Sequence, residues 1–299
     1  MRDPQMDIVL ATHGNMELTI RCVKALSEHT DTPFHLVIMD DSTPDMNEGT
    51  DLTPEWCKRY AVAHPNVTYY HSDESYPSYL QLVSRSLPLC KTGLVALMGN
   101  SCVVEPCWDT AAFQLLQNMP RVGIVGVKVI NQRTGVIESA GIGTSDNGVT
   151  LMDISKGQLA HRATMVYECD AIEGALIIAR KAAIEAGIKG DVYHGFKGCE
   201  DLEICFGARS QGWRVFYCGM GATFHQAFST RHIRQDSDVV QNHENKELFA
   251  KRWGLWTPSL KLNPATTEYR PDVAERPDKR QPIVATVNSR GEMVGSRRV

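Results

Sequence analysis

Short apolar runs that stop at polar, turn-forming residues alternate, through about residue 130, with stretches whose apolar positions recur at helical spacing. Asp7-Ile8-Val9-Leu10-Ala11-Thr12 stops at His13-Gly14-Asn15, and Leu18, Cys22, Ala25 and Leu26 follow on one helical stripe. Phe34 to Met39 is a second run, ending at Asp40-Asp41-Ser42-Thr43-Pro44; a helix over Trp56 to Ala63 and a strand over Asn66 to Tyr70 follow. A helix over Ser78 to Leu87, a strand over Gly93 to Met98 stopping at Gly99-Asn100-Ser101, a helix over Trp108 to Gln117 with Pro106 in its first turn, and a strand over Val122 to Ile130 complete this part. Apolar strands separated by helices predict a parallel sheet covered on both faces, with ligands at the carboxyl ends of its strands.

The second half changes character. Gly141 to Gly148 is rich in turn residues and no firm period returns before Ala171, which predicts a mobile loop near the site. Ala175 to Ala179 is a strand and Arg180 to Ala186 a helix stopped by Gly187. The Gly-rich stretch 190–198 leads into Glu200-Asp201-Leu202-Glu203-Ile204-Cys205, a helix with carboxylates in its first turn. Strands over Trp213 to Tyr217 and Ala222 to His225 and a helix over Asn242 to Trp253 close the periodic region, with Trp213 expected in the core. The division expected is a ligand-binding half over 1–120, a second half of the same domain over 121–256, and an extended or disordered tail over 257–299.

Composition narrows the classes. With 42% hydrophobic and 22% charged residues in 299, the chain is long enough to bury a sizeable core. A formal charge of -4 provides no whole-chain field for a polyanion, and the tail's eight basic and five acidic residues give only a weak positive excess. No run approaches the roughly 20 apolar residues needed to cross a bilayer, and the first residues lack a signal-peptide layout, so a cytoplasmic protein is expected. The nine cysteines contain no C-x-x-C and are odd in number, so they are expected as reduced thiols in core positions.

The clusters Thr12-His13-Gly14-Asn15, Asp40-Asp41-Ser42 and Gly99-Asn100-Ser101 all fall where apolar strands stop, so an open parallel sheet would bring them to one rim. The same residue types also end strands and cap helices.

The ordered set of segments resembles inverting glycosyltransferases of family 2, which have the GT-A fold and use nucleotide-diphosphate sugars. The matching stretches are Asp7 to Asn15, Glu17 to Cys22, Val37 to Asp45, Val122 to Gly126, Asp170 to Ala175, Gly195 to Glu203, Gln211 to Tyr217 and Phe224-His225, together spanning about residues 6 to 255. The resemblance implies an α/β GT-A-like fold, with a mixed, mainly parallel sheet flanked by helices. It implies donor contacts from Thr12, His13, Asn15, Asp40, Asp41, Asn100 and Ser101, acceptor contacts from Glu173 and Gly174, and a catalytic pair Glu200-Asp201 in which Asp201 is the general base. His225 matches a histidine that helps to hold a divalent cation.

Two departures stand out. Where relatives carry a metal-binding aspartate after the fourth strand this chain has Ser101, and a hydroxyl is a far weaker ligand for Mn²⁺ or Mg²⁺ than a carboxylate. Glu105, or charge neutralisation by Arg231 or Arg234, are alternatives to that ligand. Around the third helix, Ser75-Tyr76-Pro77-Ser78-Tyr79 replaces the Asn and Gly residues usual in relatives, so the donor pocket is expected to differ.

The function expected is nonprocessive, inverting transfer of a sugar from a nucleotide-diphosphate sugar to a hydroxyl acceptor: a glycan, a lipid-linked sugar or a modified nucleic-acid base. The alternative is a noncatalytic nucleotide-sugar-binding or scaffold protein with a degenerate metal motif. In that case Glu200 and Asp201 only favour a helix N-terminus, an effect of about 0.3–1 kcal/mol.

Overall fold

The computed structural model describes residues 3–42, 51–72, 76–144, 151–188, 198–226, 237–255, 283–287 and 293–298. Strands β1 (Met6–Thr12), β2 (Phe34–Asp40) and β3 (Val67–His71) pair in parallel, joined by helices α1 (Met16–His29) and α2 (Thr53–Ala63). From β3 the chain passes through α3 (Tyr79–Ser86) to the other side of β1, where β4 (Leu94–Gly99) also pairs in parallel. The direction of crossover therefore reverses between β1 and β4, which makes the carboxyl ends of these two strands a topological switch point.

After the short strand β5 (Cys102–Val104), α4 (Thr110–Asn118) leads to β6 (Val122–Asn131), followed by β7 (Ile137–Ser139), β8 (Ile142–Thr144), β9 (Leu151–Asp153) and β10 (Val166–Glu168). Then come β11 (Leu176–Arg180), α5 (Lys181–Gly187), α6 (Glu200–Ser210), β12 (Arg214–His225) and α7 (Ser237–Trp253). The main sheet runs β10-β12-β6-β11-β4-β1-β2-β3, with β5 on β12 and β7 on β6. β11 is antiparallel to both neighbours, β4 and β6, whereas β12 runs parallel to β6. Consequently β1, β2, β4, β6 and β12 end, and β11 begins, at the same rim.

Both faces of the sheet are covered, which is why its strands are continuously apolar. Along β1, Ile8 and Leu10 pack with Val23, Leu26, Trp108 and Leu115 beneath α1, α2 and α4. Val9 points the other way and packs in the core formed with Leu80, Ile184, Phe206 and Phe249 of α3, α5, α6 and α7. The buried Glu203 carboxylate fastens α7 to α6 by accepting from Arg252 and from the Trp253 indole N–H at 2.6 Å.

The first-half elements appear close to where their periodicity predicts them, with three local differences: α2 starts at Thr53, β5 is a strand too short for its pattern to predict, and α4 starts at Thr110, so Pro106 lies in the preceding turn. The second half departs more. Part of the expected 141–171 loop is strand, with β8 and β9 forming a hairpin and β10 joining the main sheet; 145–150 lie outside the described residues. The two strands expected over 213–225 are one strand, β12, with an irregularity between Cys218 and Ala222. Trp213 is partly buried against the core. Gly187 is the last residue of α5 and does not adopt a positive φ; the tail contains a hairpin of β13 (Ile283–Val287) and β14 (Met293–Arg298).

The edge opposite the rim is fixed by Asp7. Its fully buried carboxylate accepts from His35 Nδ1 at 2.7 Å, the Lys91 and Thr92 N–H groups at 3.0 and 2.7 Å, and the Thr92 hydroxyl at 2.7 Å. Burial alone would raise its pKa, but the hydrogen bonds from His35, Lys91 and Thr92 outweigh burial and hold it below the ordinary value. A depressed folded-state pKa stabilises the fold above the unfolded value of about 3.9, and that contribution is lost as pH falls through the folded value. Asp7→Asn is therefore expected to lower the urea midpoint at pH 7, with the deficit relative to wild type shrinking in acid below pH ~3.5.

Candidate functional site

The rim at the switch point is built on acidic residues satisfied from several elements. Asp40, at the end of β2, is fully buried; one carboxylate oxygen accepts from the Ser42 N–H at 3.0 Å and the Ser42 hydroxyl, the other from the Tyr69 hydroxyl at 2.8 Å with His71 Nδ1 at 3.2 Å. Asp41 is equally buried and holds His13 Nδ1 at 2.8 Å and the Tyr76 N–H at 3.1 Å. Ser42 also accepts from the Gly14 N–H at 2.6 Å. The two carboxylates thus anchor the β1–α1 turn to β2, β3 and the approach to α3.

Asn100, after β4, serves the neighbouring strand similarly. Its Nδ2 donates to Thr12 Oγ1, Gly14 O and Thr19 Oγ1 at 3.3, 3.1 and 3.0 Å. Asn15 takes a left-handed conformation and caps α1, accepting from the Leu18 N–H at 3.3 Å. Thr12 and Asn100 are therefore buried parts of the scaffold, while Asn15 and His13 are half-buried at its surface.

On the other side of β4 lies the start of α6, with Glu200 buried and Asp201 beside it. Asp201 Oδ2 accepts from the Gly174 N–H at 2.8 Å and Oδ1 from the Leu202 N–H at 2.8 Å. Desolvation raises the Asp201 pKa, with the Leu202 and Gly174 N–H groups working against it. The result is a fixed carboxylate that is more basic than an ordinary aspartate. Gly174 leaves room for it: a Cβ there would sit 3.1 Å from Asp201 Cβ and 3.3 Å from Oδ2. Gly174→Ala is thus expected to displace the Asp201 carboxylate and leave the melting temperature within a few degrees of wild type, a separation checked by a crystal structure of the variant and a thermal denaturation curve.

Glu173, His225 and Glu138 meet at the same rim. His225 Nδ1 lies 2.7 Å from Glu138 Oε2, and Asn131 Nδ2 donates to the other Glu138 oxygen. Ligand-capable atoms of all three lie within 4.8 Å of one another, the one such group among the described residues. Burial pushes the Glu173 carboxyl up to about 7; His225 opposes this, and the charges of Glu138, Asp201 and Asp153 add to it. Burial also acts to raise Glu138, but the hydrogen bonds from His225 and Asn131 keep it below its ordinary value.

Ser101 occupies the β4–β5 turn beside this group: its carbonyl accepts from the Gln226 N–H at 2.9 Å, and Cys102 is the register partner of His225. Its hydroxyl is a poor match for a hard cation, whereas two carboxylates and an imidazole suit one well. Glu105 does not join them; its charge acts on the buried Lys128, whose pKa is lowered by burial. Arg231, Arg234 and Ser75 lie outside the described residues.

No protein-family profile and no curated protein matches this sequence. Solved structures do match. GalNAc-T7 with UDP, GalNAc and Mn²⁺ aligns over 74% of this chain and 43% of that one, with a TM-score of 0.60 at 13% identity. The mannosyltransferase PcManGT from Pyrobaculum calidifontis, in complex with GDP-Man and Mn²⁺, aligns over 81% and 64%, with a TM-score of 0.53 at 17% identity. TarS of S. aureus aligns over 87% and 41%, with a TM-score of 0.54 at 13% identity. The fold is that of the GT-A glycosyltransferases. At these identities the likeness is one of fold, and the chain spans less than two thirds of each of these three proteins.

Within this GT-A frame the structure gathers Asp201, Gly174, Glu173, Ser101 and His225 on one side of the switch point, and Asp40, Asp41, His13, Asn15, Thr12 and Asn100 on the other. Sequence reasoning missed Glu138, which lies on a three-residue strand too short to carry a period, and Tyr69 and His71, whose pairing with Asp40 follows from the β2–β3 register. The Asn131-to-Glu138 spacing across the β6–β7 turn was the available signal.

Proposed function

We propose that the chain is a nonprocessive, inverting glycosyltransferase that transfers a sugar from a nucleotide-diphosphate sugar to a hydroxyl acceptor. The observation that carries this reading is Asp201: a basic carboxylate pinned by two backbone N–H groups at the rim where the strand ends of a GT-A fold converge. Two of the structural neighbours, GalNAc-T7 and PcManGT, were solved with UDP and GalNAc and with GDP-Man, which supports a nucleotide-sugar donor here.

In this reading the donor lies over Thr12, His13, Asn15, Asp40, Asp41, Asn100 and Ser101. The buried Asp40 and Asp41 act by holding the turn that meets the nucleotide. The acceptor hydroxyl sits near Glu173 and Gly174. Its oxygen attacks the anomeric carbon as Asp201 accepts its proton; the bond from that carbon to the diphosphate oxygen breaks, and the nucleoside diphosphate leaves. One displacement inverts the anomeric centre. General-base assistance of this kind contributes about 10²–10⁴-fold. Glu200 lies buried beside Asp201 in the first turn of α6, and the two form the catalytic pair of this reading. A divalent cation would supply positive charge to the departing diphosphate, and the carboxylate and imidazole groups at the rim fit one better than Ser101 does.

No helix among the described residues is long and apolar enough to cross a membrane, and with the unpaired cysteines this supports a cytoplasmic setting. The test is calorimetric titration with a panel of nucleotide sugars, each with and without Mn²⁺, followed by product analysis with sugar acceptors. Binding of one donor with transfer and inversion is the expected result. Donor binding with no transfer or hydrolysis would favour a noncatalytic nucleotide-sugar-binding protein, the reading for which Ser101 speaks, and absence of all binding would leave only the fold in common.

A further inference from the structure

We propose that Glu138, Glu173 and His225 form a divalent-cation site, displaced from the β4–β5 turn and built wholly from the second half of the chain, that takes a hard ion such as Mn²⁺ or Mg²⁺ before any nucleotide is bound. The use of that ion to neutralise a departing diphosphate rests on the function proposed above; the site itself rests on the geometry below.

Two of the ligands come from strands whose positions the sheet fixes, and the third from the segment that leads into another. Glu138 is the middle residue of β7 on β6, His225 ends β12 in register with Asn131, and Glu173 precedes β11, which pairs with β4 from Leu176. A separation within 4.8 Å is close to the span of about 3–4.5 Å between ligand atoms around one octahedral ion at 2.1–2.2 Å. Two carboxylates and one imidazole form a mixed oxygen and nitrogen donor set, which fits Mn²⁺ better than Mg²⁺ with its preference for oxygen alone, and leaves positions for water or phosphate oxygen.

An independent observation points to a ligand. Glu173 Oε2 is shut off from solvent and has no hydrogen-bond partner. As a rule buried carboxylate oxygens in proteins are paired, because removing one from water without compensation is costly. Lys156, bound to Asp153 at 2.7 Å, supplies positive charge nearby yet leaves that oxygen without a hydrogen bond. One outer contact is in place: Asn131 Nδ2 donates to Glu138, the kind of support that sets ligand direction, while the other Glu138 oxygen pairs with His225 Nδ1 at 2.7 Å.

Ser101 explains why the carboxylates have to come from elsewhere. Its turn is fastened to the end of β12 through the Gln226 N–H, so His225 already stands beside the position that lacks a carboxylate. Glu138 and Glu173 approach the same histidine from β7 and from the segment before β11. Because none of the three belongs to residues 1–120, binding of the ion should not require donor.

The experiment is titration of the full chain with MnCl₂ in the absence of nucleotide, by calorimetry and by pulsed EPR. One equivalent of Mn²⁺ with a ¹⁴N coupling from imidazole is expected. Glu173→Gln and Glu138→Gln should each weaken binding by about tenfold or more, in line with losses at metal-site residues, and His225→Ala should remove the ¹⁴N signal; Glu105→Gln should change neither. Far-ultraviolet circular dichroism identifies any variant that fails to fold, and the near-isosteric Glu173→Gln then decides. No Mn²⁺ binding by wild type, binding unaffected by Glu173→Gln and His225→Ala, or binding lost in Glu105→Gln would each overturn the proposal. Mn²⁺ binding without affinity for any nucleotide sugar would leave the site standing and end the glycosyltransferase reading; donor binding and transfer with no Mn²⁺ site would do the reverse.

Discussion

Asp201→Asn is expected to lower sugar transfer by about 10²–10⁴-fold while leaving donor affinity and the melting temperature close to wild type. The substitution preserves shape and removes the proton acceptor. One carboxylate oxygen, Oδ2, accepts from Gly174 and the other, Oδ1, from Leu202, so an amide must present its NH₂ to one of these N–H groups. A modest loss of α6 order is the structural price, and it is separable from loss of chemistry by measuring donor binding and turnover on the same preparation. Turnover within threefold of wild type would remove Asp201 from the mechanism. Loss of donor binding together with turnover would make the residue a part of the scaffold.

A large effect on stability is expected at a glycine contact beneath the site. A Cβ on Gly207, in α6, would lie 2.3 Å from the Gly187 carbonyl oxygen and 2.8 Å from its Cα, and a Cβ on Gly187 would lie 2.4 Å from the Ile204 carbonyl. The backbones of α5 and α6 touch at this crossing. Gly207→Ala must drive the helices apart, because the obstacle is main chain and has no rotamer to change. Overpacking of this kind costs about 1–3 kcal/mol and occasionally more, and a domain of this size loses about 2–4 °C of melting temperature per kcal/mol. Since α6 carries Glu200 and Asp201, transfer should fall as well. Gly93→Ala is the control: nothing lies within 4 Å of the added Cβ, so its melting temperature should stay at or slightly above wild type. Equal thermal stability of Gly207→Ala and wild type would show that the crossing is loose.

The parallel half of the fold was legible because its signal is local. β1, β2 and β4 are apolar on both faces, each stops at a polar turn, and intervening stripes have helical spacing, so element type and the shared rim follow from a window of a few residues. The carboxylates of α6 were legible for the same reason. β11, α5 and α7 were legible too, but the short strands of the second half were not. β7, β8, β9 and β10 are three residues each, and a strand of that length has no period to detect; its existence depends on the partner that completes its hydrogen bonds.

Roles were harder to read than places. Asp40, Asp41 and Asn100 looked like groups offered to a ligand, and the structure shows their polar atoms occupied by Ser42, Tyr69, His13, Tyr76, Thr12 and Thr19. Gly187 ends α5 as its pattern suggests, and it is also a contact surface against α6. Hydrogen-bond partners far apart in sequence decide such roles, and no composition or spacing encodes them.

By itself the sequence determined the alternation of strand and helix, the clustering of strand ends at one rim, the first-turn carboxylates of α6 and the serine after β4, because each is a property of neighbouring residues. Tertiary structure alone decided the antiparallel insertion of β11 between β4 and β6, the approach of Gly187 to Gly207, and the meeting of Glu138, Glu173 and His225. Those depend on which distant segments find each other, and that is settled by burial and pairing energies summed over the whole sheet, which no local pattern carries.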